Sequence, residues 1–208
     1  MSEEKKPVFK KLWFWVVVIL GLAIAASQSE QGEKSGTGGA RAASSPATPA
    51  IVIPATQAAF IKAVDEAAAN YSAASNELKK SAIRTQRSQQ LKSALAGSRD
   101  VHDWIGTIEG LSTNGEGNAV LSIQLESSDV EVKTWNNALS DISSQTLIPQ
   151  SSPIFNTIAE LDEGTRVVFS GSFPASDKDF VEESSMTESG SMRDPEFIMK
   201  FEAVRRYP

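Results

Sequence analysis

The sequence predicts an α+β protein with an N-terminal transmembrane helix, a long amphipathic helix, and a small five-stranded β-barrel that has a helical insert between strands 3 and 4. Three observations predict this fold class. An uncharged apolar run, Leu12–Ala26, follows four lysines. A stretch rich in Ala, Glu, Lys and Gln, residues 57–95, contains no Pro or Gly. From Trp104 onward, apolar residues recur with a period of two, which is typical of half-buried strands.

The apolar run determines the predicted compartment. A membrane span needs about 20 largely apolar residues, and no charge occurs from Leu12 to Ser29. The preceding lysines place residues 1–11 in the cytoplasm and the rest of the chain outside. We therefore predict that residues 12–29 cross the lipid bilayer once, with Leu12–Ala26 in contact with lipid, in a bacterial cytoplasmic (inner) membrane. The alternative is a cleaved export signal, for which Ala23-Ile24-Ala25 supplies the small-x-small pattern.

Two segments connect this anchor to the β domain. Residues 30–55 are rich in Ser, Gly, Ala and Pro, and this composition predicts a disordered linker. Residues 56–98 are predicted to form one amphipathic helix. Its apolar stripe has heptad-like spacing with small residues in core positions, namely Ile61, Val64, Ala68, Tyr71, Ser75, Leu78 and Ala82. The stripe fits packing on the chain's own C-terminal domain, or pairing with a second copy or a partner.

Residues 100–208 are predicted to form one β domain. The predicted strands are Trp104–Leu111, Ala119–Glu126, Val130–Trp135, Thr165–Phe173 and Glu196–Arg205. Between the third and fourth strands, Asn137 is predicted to cap a helix over 138–143, and Ser152 a helix through Leu161. Residues 174–195, which are rich in Ser, Asp and Glu, are predicted to be a long loop with some extended pairing. Three strands, a helical insert and two strands is the plan of the OB-fold, a Greek-key barrel.

Several short motifs carry a family resemblance. The segment Leu161-x-x-Gly164-x-x-Val167-x-Phe169-Ser170-Gly171 resembles the passage from helix to fourth strand in bacterial OB-like exported domains. The pieces Trp104–Ile108, Lys133–Asn137 and Pro195–Ile198 resemble uncharacterised bacterial membrane-anchored proteins with a C-terminal OB-fold-like (tRNA-anti-like) exported domain. The resemblance covers nearly the whole chain and implies an anchor, a helix and a terminal domain in that order. It implies no catalytic residue.

Charge and composition restrict the chemistry. Residues 1–99 hold 13 Lys and Arg against 7 Asp and Glu, whereas residues 100–208 hold 7 against 19. Because phosphate binding needs a basic groove, we do not expect nucleic-acid binding by the β domain. The chain has no Cys and a single His, and it has no nucleophile-elbow or metal-ligand motif. We therefore predict no catalytic residue, no metal and no cofactor. The basic run from Lys79 to Arg99 and the acidic run from Asp177 to Glu183 are interpreted as solvated surfaces.

One face of the third predicted strand carries the candidate binding residues. Because Val130 and Val132 point inward, strand alternation places Lys133 and Trp135 on the outer face, with Asn136 adjacent. A large aromatic side chain there is either covered by the helical insert or exposed as an anchor for a ligand. Lys133, Trp135 and Asn136 are the predicted site.

These observations predict a single-pass envelope protein that presents an external OB-like binding domain. We expect a non-enzymatic adaptor or accessory subunit whose partner is a protein or an envelope polymer. One alternative is a structural membrane protein that forms homo-oligomers through the 57–95 helix. Another is an envelope hydrolase, because the separation of paired catalytic carboxylates is a three-dimensional property.

Overall fold

The structure, a computed structural model, describes residues 51–208. Its helices are α1 (Ala55–Ala73), α2 (Glu77–Ala94), α3 (Pro153–Ala159) and α4 (Glu188–Arg193). Its strands are β1 (Asp100–Thr113), β2 (Ala119–Leu125), β3 (Glu131–Lys133), β4 (Arg166–Ser172), β5 (Ala175–Ser176), β6 (Phe180–Val181), β7 (Glu196–Ile198) and β8 (Lys200–Arg206).

Six of the strands form one mixed sheet in the order β7-β3-β2-β1-β4-β8. The β3–β7 pair is parallel and the other neighbours are antiparallel. β7 and β8 lie at opposite ends of this order, yet only Met199 separates them in the chain. The chain therefore passes from one end of the strand order to the other at Met199, whose backbone N–H donates to the Lys133 carbonyl at 2.7 Å. β5 and β6 form a separate two-stranded hairpin.

An aromatic cluster fills the centre of the core and includes a ring from α1. The Phe60 ring lies 5.2 Å from Trp104, 5.3 Å from Phe173 and 5.0 Å from Phe197, measured between centroids. Each of these four side chains is almost completely buried. Edge-to-face and offset aromatic pairs at these separations add to the stabilisation from burial alone. Helix α1 is thus part of the same core as the strands.

The predicted single helix over 56–98 is two helices joined by a short turn. Asn76 has an extended backbone, and its side-chain Oδ1 accepts a hydrogen bond from the Lys79 N–H at 2.9 Å. This is an N-cap, which starts a new helix rather than continuing the old one. The break folds α2 back along α1. Ile61, Val64 and Tyr71 of the predicted stripe are buried in α1, whereas Leu78 in α2 is exposed.

The helical insert also differs from its prediction. Residues 138–144 form consecutive turns rather than a helix, although Asn137 does accept a hydrogen bond from the Ser140 N–H at 2.9 Å. The second predicted helix corresponds to α3, and Ser152 Oγ accepts from the Phe155 N–H at 3.3 Å as its cap. Residues 174–195, predicted as a long loop with some extended pairing, contain the β5–β6 hairpin and also helix α4, which was not predicted.

The predicted fold class, a transmembrane helix with one amphipathic helix and a five-stranded OB-like barrel, is wrong. The described chain is α+β with a mixed six-stranded sheet and four helices. Among residues 51–208, no helix combines the length and apolarity needed to cross a membrane. The segment predicted to do so, residues 12–29, lies outside the described residues. The strand count differs because the last predicted strand divides at Met199 and pairs with β3 before that residue and with β4 after it.

Candidate functional site

A cleft of about 620 Å³ lies between the segment that follows β3 and strand β8. Volumes of this order are typical of ligand-binding clefts. Its lining is mostly apolar or uncharged, with a few charged residues. The residues that line it are Glu116, Asn118, Ala138, Asp141, Gln145, Thr146, Leu147, Ile148, Pro149, Ser152, Pro153, Ile154, Lys200, Phe201 and Glu202.

A buried carboxylate holds one wall of the cleft in place. Asp141 Oδ1 accepts hydrogen bonds from the Thr146 N–H at 2.6 Å and the Thr146 hydroxyl at 2.7 Å. Asp141 Oδ2 accepts from the Leu147 N–H at 3.0 Å. Ile148 then exchanges two backbone hydrogen bonds with Ala119 at the start of β2. Because hydrogen bonds to a charged group are stronger than neutral ones, this wall is pre-organised without regular secondary structure.

Two large apolar side chains on the same segment point into solvent. Leu139 is 81% exposed and Ile142 is 70% exposed, and they alternate along the chain with the cleft residues Ala138 and Asp141. Single exposed apolar residues are normal on protein surfaces. Contiguous exposed apolar surface marks sites where partners bind, and Leu139 and Ile142 lie close together in the chain beside an apolar cleft. These two side chains are therefore candidates for a partner contact. Gln145, which also lines the cleft, has φ +50°, a conformation that non-glycine residues adopt rarely.

The three residues of the predicted site have different surroundings in the structure. Lys133 forms an ion pair with Glu196 of β7, and both side chains are mostly covered. Trp135 is half-buried, and its ring Nε1 is buried with no hydrogen-bond partner among residues 51–208. Its backbone N–H donates to Thr146 Oγ1 at 2.9 Å. Asn136 is exposed and accepts from the Asn137 side chain at 2.7 Å.

Two of the three predicted residues border a second, smaller recess. Lys133 and Asn136 line a polar recess of about 220 Å³ together with residues of β1 and β2, whereas Trp135 does not. Trp135 instead connects through its backbone to Thr146 in the wall of the larger cleft. The predicted binding role of Lys133, Trp135 and Asn136 stays a prediction.

A network of buried charges joins α2 to the 175–195 segment. Arg84 makes two hydrogen bonds to Asp179, at 2.8 and 2.5 Å, and one to Glu188 at 3.3 Å. Arg87 is fully buried and donates to Asp179 Oδ1 at 3.3 Å and to the Ser191 carbonyl at 2.6 Å. The interpretation of the basic and acidic runs as solvated surfaces is therefore wrong for Arg84, Arg87 and Asp179.

The electrostatics of this network follow from burial and pairing. Burial alone would raise the pKa of the Asp179 carboxyl, but hydrogen bonds from Arg84 and the charge of Arg87 outweigh it and hold that pKa below its usual range. Burial lowers the pKa of the Arg87 guanidinium and raises the pKa of the neighbouring Glu183 carboxyl. The charges of this network are paired with one another and attach residues 175–195 to α2. The cleft is therefore the stronger candidate for a binding site.

Comparison with known proteins adds no homologous site. No family model, no curated protein and no solved structure matches the chain. The resemblance to membrane-anchored proteins with an OB-like exported domain therefore stays a prediction, and function has to be inferred from the cleft itself.

Proposed function

We propose that this protein is a non-enzymatic binding subunit, an adaptor that takes a protein partner in the cleft between residues 138–149 and β8. The observation that carries the proposal is the combination of an apolar lining, a wall held by Asp141, and the exposed side chains Leu139 and Ile142. Pre-organised apolar surface binds with a smaller ordering cost than a surface that must first become ordered. The predicted location at the bacterial envelope rests on residues outside the described part of the chain.

The arrangement of the helices favours this proposal over homo-oligomerisation through residues 57–95. The apolar residues Ile61, Val64 and Tyr71 of the heptad-like stripe are buried within the chain itself. Leu78 is the large apolar residue of that stripe that remains exposed, at 84%. A single leucine is a much smaller contact than the continuous seam that a coiled coil requires.

Site-specific photo-crosslinking in the native host tests the proposal. A benzophenone amino acid replaces Leu139 in the full-length chain, and in a matched control it replaces Leu78, which is almost equally exposed. We expect irradiation to join the Leu139 variant to one discrete protein, identified by mass spectrometry, and to leave the Leu78 variant free. Crosslinks from Leu78 to a second copy, with none from Leu139, would contradict the proposal and favour the homo-oligomer.

A second experiment separates binding from folding. The double variant Leu139→Ser/Ile142→Ser removes exposed apolar surface, so its free energy of unfolding is expected to stay within about 0.5 kcal/mol of wild type. The same variant is expected to recover much less of the crosslinked partner in affinity purification. Wild-type recovery would show that the partner does not use this surface.

A further inference from the structure

The β8 side of the cleft belongs to an outermost strand of the described sheet. Lys200, Phe201 and Glu202 are consecutive residues of β8, and all three line the cleft. Consecutive side chains of a strand point to opposite faces, and Phe201 is buried whereas Lys200 and Glu202 are exposed. The pairing with β4 is irregular here, because Phe201 pairs with Gly171 and Ala203 with Ser170, which leaves Glu202 as an extra residue. The cleft therefore contacts a bulged stretch of an outermost strand, and the edge of such a strand presents backbone N–H and C=O groups.

Both walls of the cleft are continuous stretches of chain. β8 stands last in the strand order of the described sheet, with β4 as its neighbour on the other side. The opposite wall consists of five consecutive residues, 145–149, and is fixed to β2 by the Ile148–Ala119 bridge. An extended peptide bound between these two stretches would contact both of them.

The charges around the cleft are mostly negative. Three carboxylates line it, Glu116, Asp141 and Glu202, against one ammonium group, Lys200. Residues 100–208 as a whole hold 19 Asp and Glu against 7 Lys and Arg. Potential of one sign focused in a cleft attracts ligands of the opposite charge and disfavours ligands of the same charge.

We propose that the partner presents an extended segment with apolar residues and an excess of Lys or Arg, and that this segment adds as a strand to the edge of β8 that has no strand neighbour among residues 51–208. The inference rests on the proposed function and specifies the chemistry of the partner. Backbone hydrogen bonds to β8 supply affinity, and apolar side chains enter the cleft. Cationic side chains lie near Glu116 and Glu202.

Selection from a phage-displayed random peptide library against the full-length protein tests this chemistry. We expect enriched peptides to have net positive charge and apolar residues at alternate positions. Affinity of the tightest synthetic peptide, measured by fluorescence anisotropy, is expected to fall about tenfold with Glu202→Lys, because a charge beside the ligand changes sign. The matched control is Glu160→Lys, which makes the same charge change on an exposed residue outside the cleft lining and is expected to keep the affinity.

Backbone N-methylation of the same peptide, one residue at a time, tests strand addition. Because alternate N–H groups of an added strand face β8, affinity is expected to fall with a period of two along the peptide. Failure to enrich any peptide, enrichment of neutral or acidic peptides, or loss without this period overturns the inference. If peptides bind without the positive charge or the period of two, but Leu139→Ser/Ile142→Ser lowers their affinity, the further inference fails and the proposed function is retained. If neither the double variant nor Glu202→Lys changes the affinity, both the proposed function and the further inference are wrong.

Discussion

Beyond the end of β2, the buried side chain of Gln57 forms hydrogen bonds to the backbone of β1 that a neighbouring strand would otherwise form. Its Oε1 accepts a hydrogen bond from the Ile105 N–H at 2.8 Å, and its Nε2 donates to the Ile105 carbonyl at 2.7 Å. The β1–β2 register ends at Gly106 and Leu125, one residue from Ile105. The Ile105 carbonyl has a second donor, the Glu126 N–H at 2.9 Å. Gln57 is thus the partner of the Ile105 N–H and one of two partners of the carbonyl.

Gln57→Met removes these hydrogen bonds while keeping an unbranched side chain of similar length. A buried N–H left without a partner costs about 1–3 kcal/mol, and the second bond to the carbonyl contributes about 0.5–1.5 kcal/mol. We therefore expect the free energy of unfolding to fall by about 1.5–4.5 kcal/mol. Because Met fills most of the space, little of this loss comes from a cavity.

Urea denaturation measures this loss. Circular dichroism and tryptophan fluorescence should give coincident transitions, which justifies two-state treatment. Gln86→Met, at an exposed position of α2, is the matched control and should change stability by less than about 0.5 kcal/mol. If Gln57→Met is as stable as this control, the Ile105 N–H reaches water or another acceptor, and Gln57 does not join α1 to β1 in the way described.

Gln57→Glu adds a pH test of the same geometry. A neutral carboxyl can both accept from the Ile105 N–H and donate to its carbonyl, whereas the ionised form cannot donate. Burial raises the folded-state pKa of such a carboxyl above the unfolded value of about 4.3. The free energy of unfolding of Gln57→Glu relative to Gln57→Met should therefore rise as pH falls through the folded-state pKa, and the gain should be complete below about pH 4.3. A difference independent of pH would contradict this reasoning.

Three further changes probe the rest of the fold by urea denaturation. Asp179→Asn should cost about 3–5 kcal/mol because it leaves a buried guanidinium without its counter-charge, whereas exposed Asp177→Asn should change little. Because the Asp179 pKa is lowered, that difference should be present above about pH 3.9 and shrink as pH falls through the folded-state pKa. Phe169→Ala should cost about 3–5 kcal/mol, since Phe169 is buried against two other aromatic rings. Gly106→Ala should destabilise by about 1–3 kcal/mol because its new Cβ would overlap the Gln124 backbone, whereas Gly115→Ala meets no atom within 4 Å.

Local patterns in the sequence predicted some of the fold. The alternation of Leu121, Ile123 and Leu125 predicted their common inward face, and all three are buried. The break at Asn76 had a signal that the interpretation missed, since an Asn followed by Glu77 is a common helix start. Composition instead favoured one continuous helix, because neither Pro nor Gly interrupts residues 57–95.

Local sequence patterns did not predict the contacts between segments that lie far apart in the chain. The cleft combines three segments that lie far apart in the chain, around Glu116, from 138 to 154, and from Lys200 to Glu202. No periodicity relates them, and the wall depends on one carboxylate, Asp141, that resembles many exposed acids in the sequence. The opposite charges of the basic and acidic runs did offer a signal for the Arg84–Asp179 contact. Interpreting each run separately as a solvated surface ignores this signal, because the two runs are then never considered as partners.

The same charge network bears on the chemistry of the cleft. The basic residues Arg84 and Arg87 belong to the positively charged half of the sequence, but their guanidinium groups are paired with Asp179 and, for Arg84, also with Glu188. Charges paired in this way contribute little net potential at a distance. The pairs use up two of the 19 acidic residues of 100–208, and the acidic residues that remain still outnumber the basic ones in that half. A cleft lined by Glu116, Asp141 and Glu202 favours a cationic partner segment over an anionic polymer such as nucleic acid.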